Sequence, residues 1–186
     1  MIKKSSLNNY SNLYIQKISS LIKNFDVNNF YKVLKKFNLI KKKKRKVIII
    51  GNGGSAAISS NVSVDFLKNC KIRFLNFNEA DLITCYANDY GHDNWIKECI
   101  KSFVDKGDII ILVSSSGASK NHLVAAKYCK KKKYFLITFT GFNYKNPLCK
   151  IGNINFSVNS SNYNQIEMCH NIWLLLVCDF LSDKKF

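Results

Sequence analysis

The chain has 186 residues, of which 47% are apolar, enough for one domain with an ordinary core. Its 29 basic residues against 12 acidic ones give a formal charge of +17. Only Arg45 and Arg73 are arginine, however, and a lysine-dominated excess lacks the planar forks that grip phosphate backbones, which argues against a nucleic-acid partner. No apolar run is long enough to span a membrane and the first residues lack a signal-peptide core, so a cytoplasmic protein is expected. The seven cysteines stand singly, without C-x-x-C spacing, as reduced core thiols do.

Residues 1–40 place Leu13, Ile15, Ile18, Leu21, Ile22 and Phe25, then Phe30, Val33, Leu34 and Phe37, at helical spacing. This predicts two amphipathic helices with a break near 26–29, where Asn28 or Asn29 caps the second. With no strand before them to cover, the helices need a partner surface, and they are expected to form an N-terminal extension over 1–40 ahead of a domain over 41–186. The lysine clusters at 41–46 and 130–133 each precede an apolar run and read as solvated gatekeepers.

The β-branched run 47–50 stops at Gly51-Asn52-Gly53-Gly54-Ser55, and helix-compatible sequence resumes over 56–67. Strand, tight glycine loop and helix N-terminus together outline an anion site, because the first-turn amides have no internal partner and the helix dipole favours negative charge. The loop lacks the Gly-Lys-Ser/Thr ending of a P-loop. It satisfies G-x-G-x-x-A through Ala56, yet the candidate second strand over 72–76 ends in Asn76 rather than an acidic residue, so dinucleotide binding is the minority reading.

Asn61 and Asp65 fall four apart on the 56–67 helix, hence on one face. Residues 79–86 come after the second strand, and Asn88-Asp89-Tyr90-Gly91 reads as a turn of residues that tolerate left-handed backbone. A helix over 95–104 leads to a second buried-strand pattern, 108–113, which runs into Ser114-Ser115-Ser116-Gly117-Ala118-Ser119 before a helix over 121–131. Hydroxyls and a glycine at a strand end make a second phosphate cradle, and the two cradles meet if both strands lie in one parallel sheet. His92 and His122 read as exposed loop and helix-start residues. A strand over 134–139, a loop marked by Pro147, a strand over 154–158 and a closing helix over 165–181 complete an alternation that predicts a doubly wound parallel sheet of about five strands.

Asn52-Gly53-Gly54-Ser55, Ala87-Asn88-Asp89-Tyr90-Gly91 and the 114–119 serine loop, in this order and spacing, resemble the sugar isomerase (SIS) domain family, and within it the phosphoheptose isomerase group. The resemblance covers nearly the whole chain. It implies a flavodoxin-like α/β fold with helices on both faces of the sheet, a phosphorylated sugar as ligand, and a homotetramer built by the N-terminal helices with sites near subunit interfaces. The implied activity is aldose–ketose isomerisation of sedoheptulose 7-phosphate to D-glycero-D-manno-heptose 7-phosphate for surface polysaccharide synthesis. Phosphate contacts fall to Asn52, Gly53, Gly54, Ser55, Ser114, Ser115, Ser116 and Ser119, and Asp89 matches a position near the substrate.

The family's glutamate base corresponds to Asp65, and its last-helix histidine to Leu175. The zinc site of the group corresponds to Asn61, Asp65, Glu167 and Leu175, a poor donor set, so no tightly held zinc and no other cofactor is expected. His170, one turn from Glu167, is the remaining histidine for acid–base work, which leaves Asp65, Glu167 and His170 as the expected catalytic set. A phosphosugar-binding protein without catalysis, acting as a sensor or assembly factor, is the alternative.

Overall fold

The computed structural model describes residues 3–183. Five parallel strands run in the order β2-β1-β3-β4-β5: β1 (Lys46–Gly51), β2 (Arg73–Leu75), β3 (Ile109–Ser114), β4 (Phe135–Thr140) and β5 (Ile154–Ser157). That order is the flavodoxin-like one, with chain reversal between β1 and β3. β1 and β3 are paired from Val47 with Ile109 to Gly51 with Val113, so their carboxyl ends, and the loops that leave them, lie side by side.

Strand residues alternate between two buried layers, as a sheet covered on both faces requires. Val47, Ile49, Ile109, Ile111, Val113, Ile137 and Phe139 face one layer. It is closed by α1 (Lys4–Lys23), α2 (Val27–Lys42), α3 (Gly54–Asp65) and α7 (Tyr163–Leu181). Ile48, Ile50, Ile110, Leu112 and Leu136 face the other. There α5 (Trp95–Phe103) and α6 (Lys120–Lys132) supply Trp95, Ile96, Cys99, Ala125, Ala126 and Cys129, while α4 (Ala80–Tyr90) adds partly buried Leu82, Ile83 and Tyr86.

α2 finds its partner surface in its own chain. Phe30, Val33, Phe37 and Ile40 are buried in the first layer, and the Phe37 ring packs edge-on against Phe66 and Phe74, both at 5.5 Å. The helix is therefore part of the main core rather than an extension beside it. α1 is tied more loosely, through Leu21 and the Trp173 indole N–H, which donates to the Ile22 carbonyl at 3.0 Å.

Three boundaries differ from expectation. The cap of α2 is Asp26, whose carboxylate accepts from the Asn29 N–H at 3.0 Å, so the helix begins before Asn28 and Asn29. The 88–91 segment is no turn: α4 runs through Tyr90, and Gly91, at φ +80°, ends it. The helix after the first loop starts at Gly54, stops at Asp65 and continues as a π-helical turn, Phe66–Cys70. Its Ser59 hydroxyl bonds back to the Ser55 carbonyl at 2.8 Å and Ser63 to that of Ser59, which satisfies both buried hydroxyls within the helix.

Candidate functional site

β1 sends its chain into α3 on one face of the sheet, and β3 sends its chain into α6 on the other. The crevice between the two departing loops is the topological switch point, where open α/β sheets bind ligands. Here Asn52 and Ser55 of the first loop and Ser114, Ser115, Ser116 and Ser119 of the second line one small cavity of about 110 Å³. The two loops are clamped together by a reciprocal pair of carboxamide bonds between Asn52 and Asn121, 3.1 Å each way.

Backbone conformation sets both loops. Gly53, at φ +53°, is the N-cap of α3 and needs the freedom of glycine. Gly117 turns the serine loop at φ +62°, and a methyl there would collide with the Asn146 carboxamide. Asn146 is itself fixed from below, donating to Thr140 Oγ1 at 3.0 Å and to the Asn143 carbonyl at 2.7 Å, so the loop after β4 holds the loop after β3 in place.

The donors in the cavity are largely uncommitted. Ser119, the N-cap of α6, makes no side-chain cap bond, and its hydroxyl is 3.4 Å from that of Ser114. The Ser115 hydroxyl is buried and has no partner among the described residues. Such hydroxyls, with the first-turn amides of α6, form a cradle for a tetrahedral anion. The volume fits a phosphate and not a whole sugar, so a sugar held here projects outward.

Glu167 and Tyr163 of α7 close the cavity from the other side, and Glu167 is the one charged side chain among the described lining residues. Its carboxylate lies against Gly54, where a methyl group would collide with it, so glycine at 54 is what admits a carboxylate to the N-terminus of α3. A larger cavity, about 840 Å³, opens at the opposite edge of the sheet among Lys36, Arg45, Lys106 and Lys133, far from these loops.

Of the expected catalytic residues, the cavity gathers only Glu167. His170 is fully buried on the core stripe of α7 with Ile166, Trp173, Leu174 and Val177. Its Nε2 is 2.9 Å from the Thr140 carbonyl, and its ring packs edge-on against Phe139. Burial pushes its pKa down to about 4. The expectation that it stands beside Glu167 at the substrate is corrected: about 60° of rotation around the helix separates the two, which leaves His170 in the core and Glu167 in the pocket.

Asp65, eleven residues past Gly54, is about 16 Å along the helix axis and does not line the cavity. It accepts a long bond from Asn69 Nδ2 at 3.5 Å. It lies near the far half of α7, where burial, and more weakly Cys70 and Asp65, push the Cys178 thiol up to about 12. Asp89 is exposed at the end of α4, within 3.8 Å of Cys85 Sγ, and is likewise outside the cavity.

The positions that match the family's zinc ligands do not fit the ion. Asn61 is exposed, Leu175 offers hydrocarbon and packs on the core, and Asp65 and Glu167 lie toward different ends of α7.

His122 is the residue sequence reasoning misplaced. It is completely buried and lines the cavity instead of standing exposed at a helix start. Its spacing with Ala125, Ala126 and Cys129 on the buried face of α6 carried the signal. Asn121 and Tyr163 had no such marker, since an amide clamp and a pocket rim leave no periodic trace.

The SIS domain profile matches residues 13–141. Phosphoheptose isomerase from Thermodesulfovibrio yellowstonii is 30% identical over 139 residues, covering 71% of this chain and 68% of the relative. Phosphoheptose isomerase 2 of Campylobacter jejuni is 29% identical over 110 residues, covering 58% of this chain and 53% of the relative, so the matched stretch spans about half the length of that protein. A solved phosphoheptose isomerase from Francisella tularensis shares the fold over the full length of both chains, with a TM-score of 0.85 at 23% identity. With its switch-point cavity, its flavodoxin-like strand order and a profile match over most of its length, the chain belongs to the SIS domain family and resembles its phosphoheptose isomerases.

Proposed function

We propose that the protein is a phosphosugar isomerase that holds its substrate by the phosphate between the β1 and β3 loops, and that the substrate is sedoheptulose 7-phosphate. The observation that carries this reading is the convergence, in a phosphate-sized cavity, of free serine hydroxyls and the uncapped N-terminus of α6 with a single carboxylate, Glu167. Ketose-to-aldose isomerisation removes a proton from C1, forms an enediolate with a proton on O2, and returns a proton to C2 as the O1 proton leaves. Glu167 takes and returns the carbon-bound proton, with the sugar chain curled back so that C1 and C2 reach the cavity mouth. Asp65, further along α3, holds the family's base position and is the second carboxylate of the expected set. The product is D-glycero-D-manno-heptose 7-phosphate, suited to surface polysaccharide synthesis.

The assembly rests on the same geometry. Leu7, Tyr10, Leu13 and Ile15 of α1 and Met168, Ile172, Leu176 and Phe180 of α7 are exposed apolar side chains. Their exposure on the single chain supports a homotetramer that buries them, with the sugar end of each site completed near an interface.

A second reading is supported by Asn61 and Leu175 at the family's histidine positions and by the withdrawal of His170 into the core: a binding protein without turnover. Proton NMR of sedoheptulose 7-phosphate with the protein in deuterated water separates the two. The enzyme gives an aldose carrying deuterium at C2, and Glu167→Gln lowers kcat by about 10²-fold or more with a small change in KM. Line broadening of the sugar without product would overturn catalysis and leave the binding protein.

A further inference from the structure

The cavity is built for an anion yet lacks a cation. Among the described lining residues the only formal charge is that of Glu167, and it is negative. A phosphate dianion placed there would face a carboxylate with only dipoles to offset the repulsion. One titratable group can change this balance, and it is His122, in the first turn of α6 and fully buried.

Its surroundings are those of a suppressed cation. Nδ1 lies 3.1 Å from Asn121 Oδ1, which fixes the proton of the neutral ring on that nitrogen and leaves Nε2 as the bare one. Nε2 has no hydrogen-bond partner among the described residues. Burial pushes the His122 pKa down to about 4, against the upward pull of the Ile50 and Val113 carbonyls at the ends of β1 and β3. The two strand-end carbonyls thus favour the charged ring, and desolvation together with the positive end of α6 keeps it neutral. An adjacent anion offsets that desolvation.

We propose that His122 is the counter-cation of this site: binding of a phosphate dianion between the two loops draws one proton from solvent onto the buried imidazole at Nε2, so that anion and proton are bound together. The inference rests on the phosphate pocket proposed above. No bond to carbon or phosphorus changes, and the proton returns to solvent when the anion leaves. The site then selects dianions over monoanions and neutral sugars, because only a dianion compensates both the imidazolium's burial and the nearby Glu167.

Few other groups titrate here. β1 and β3 present only backbone carbonyls to the ring. From α5, packed on the same face, comes Cys99, and from α6 itself Cys129, both thiols pushed up to about 12 chiefly by burial. Glu98 of α5 is engaged by Lys97 at 3.0 Å and Lys101 at 2.6 Å. Lys120 and Asp93 pair at 4.0 Å on the surface. α7 brings Tyr163 and Glu167. Glu167, the one carboxylate beside the anion, therefore needs its own control.

Inorganic sulfate is the probe, since it remains a dianion and takes up no proton of its own. Calorimetric titration of the full chain from about pH 5 to pH 7 should show sulfate affinity falling about tenfold per pH unit, with uptake of about one proton per sulfate. His122→Gln should give a flat profile, while Glu167→Gln should keep the slope. Long-range proton–nitrogen NMR of the three histidines should show His122 alone changing from neutral imidazole to imidazolium as sulfate is added near pH 6.5. A pH-independent affinity, a slope abolished by Glu167→Gln, or a His122 ring that stays neutral in the complex would overturn the proposal while the pocket stands. Absence of sulfate binding at every pH would overturn the pocket reading together with it.

Discussion

Two of the three histidines are buried, with pKa values pushed from 6.5 down to about 4 by desolvation. A folded-state value below the unfolded one means that the unfolded chain binds more protons between the two. The stabilisation is therefore complete above about pH 6.5 and lost as pH falls toward 4. Moving from about pH 7.5 to pH 5 should cost about 2 kcal/mol for each buried histidine, measurable as a lower urea midpoint. His170→Gln should about halve that dependence. At Gly117, alanine would have to adopt a φ of +62° and displace Asn146. Gly117→Ala should therefore destabilise the fold by about 1–3 kcal/mol and weaken phosphate binding as the serine loop moves, both readable by thermal melts with and without ligand.

At the scale of elements, the glycine and serine loops are legible in the sequence because a buried strand, a glycine and a helix start in succession allow few backbone solutions. The all-parallel sheet is legible from strands alternating with helices. α2 is less so. Its apolar face at Phe30, Val33 and Phe37 is plain, but nothing in a helix's periodicity tells whether a sheet of the same chain or a second subunit covers it. The end of α3 is hidden for a similar reason, since a π-helical turn at Phe66–Cys70 keeps the apolar spacing while shifting the helical register beyond Asp65. His170 and Glu167 show the limit within one helix: three residues apart, they differ by enough rotation for one to enter the core and the other the pocket. Because Phe37 is almost fully buried against Phe66 and Phe74, Phe37→Ala should cost about 3–5 kcal/mol, seen in denaturant unfolding, as expected for a core helix and not for a detachable arm.

For the whole molecule, part of the +17 charge sits on lysines in the last turns of helices: Lys23 of α1, Lys41 and Lys42 of α2, and Lys130, Lys131 and Lys132 of α6. There they oppose the negative ends of helix dipoles, which accounts for that part of the basic surface without a polyanionic partner. No helix among the described residues is long and apolar enough to cross a membrane. The exposed apolar rows on α1 and α7 lie on helices that cover the same side of the sheet, and they are the faces that the proposed assembly would bury. Ile15→Lys should reduce the sedimentation coefficient to that of a smaller species and raise KM for the sugar more than it weakens sulfate binding. The central claim, that the serine loop and the N-terminus of α6 hold the phosphate, is tested most directly by phosphorus-31 NMR of sedoheptulose 7-phosphate titrated with the protein and with its Ser115→Ala/Ser119→Ala variant. A shifted and broadened phosphate resonance is predicted with the unmodified protein, and at least about tenfold weaker binding by the folded variant. Equal affinity in both would contradict it.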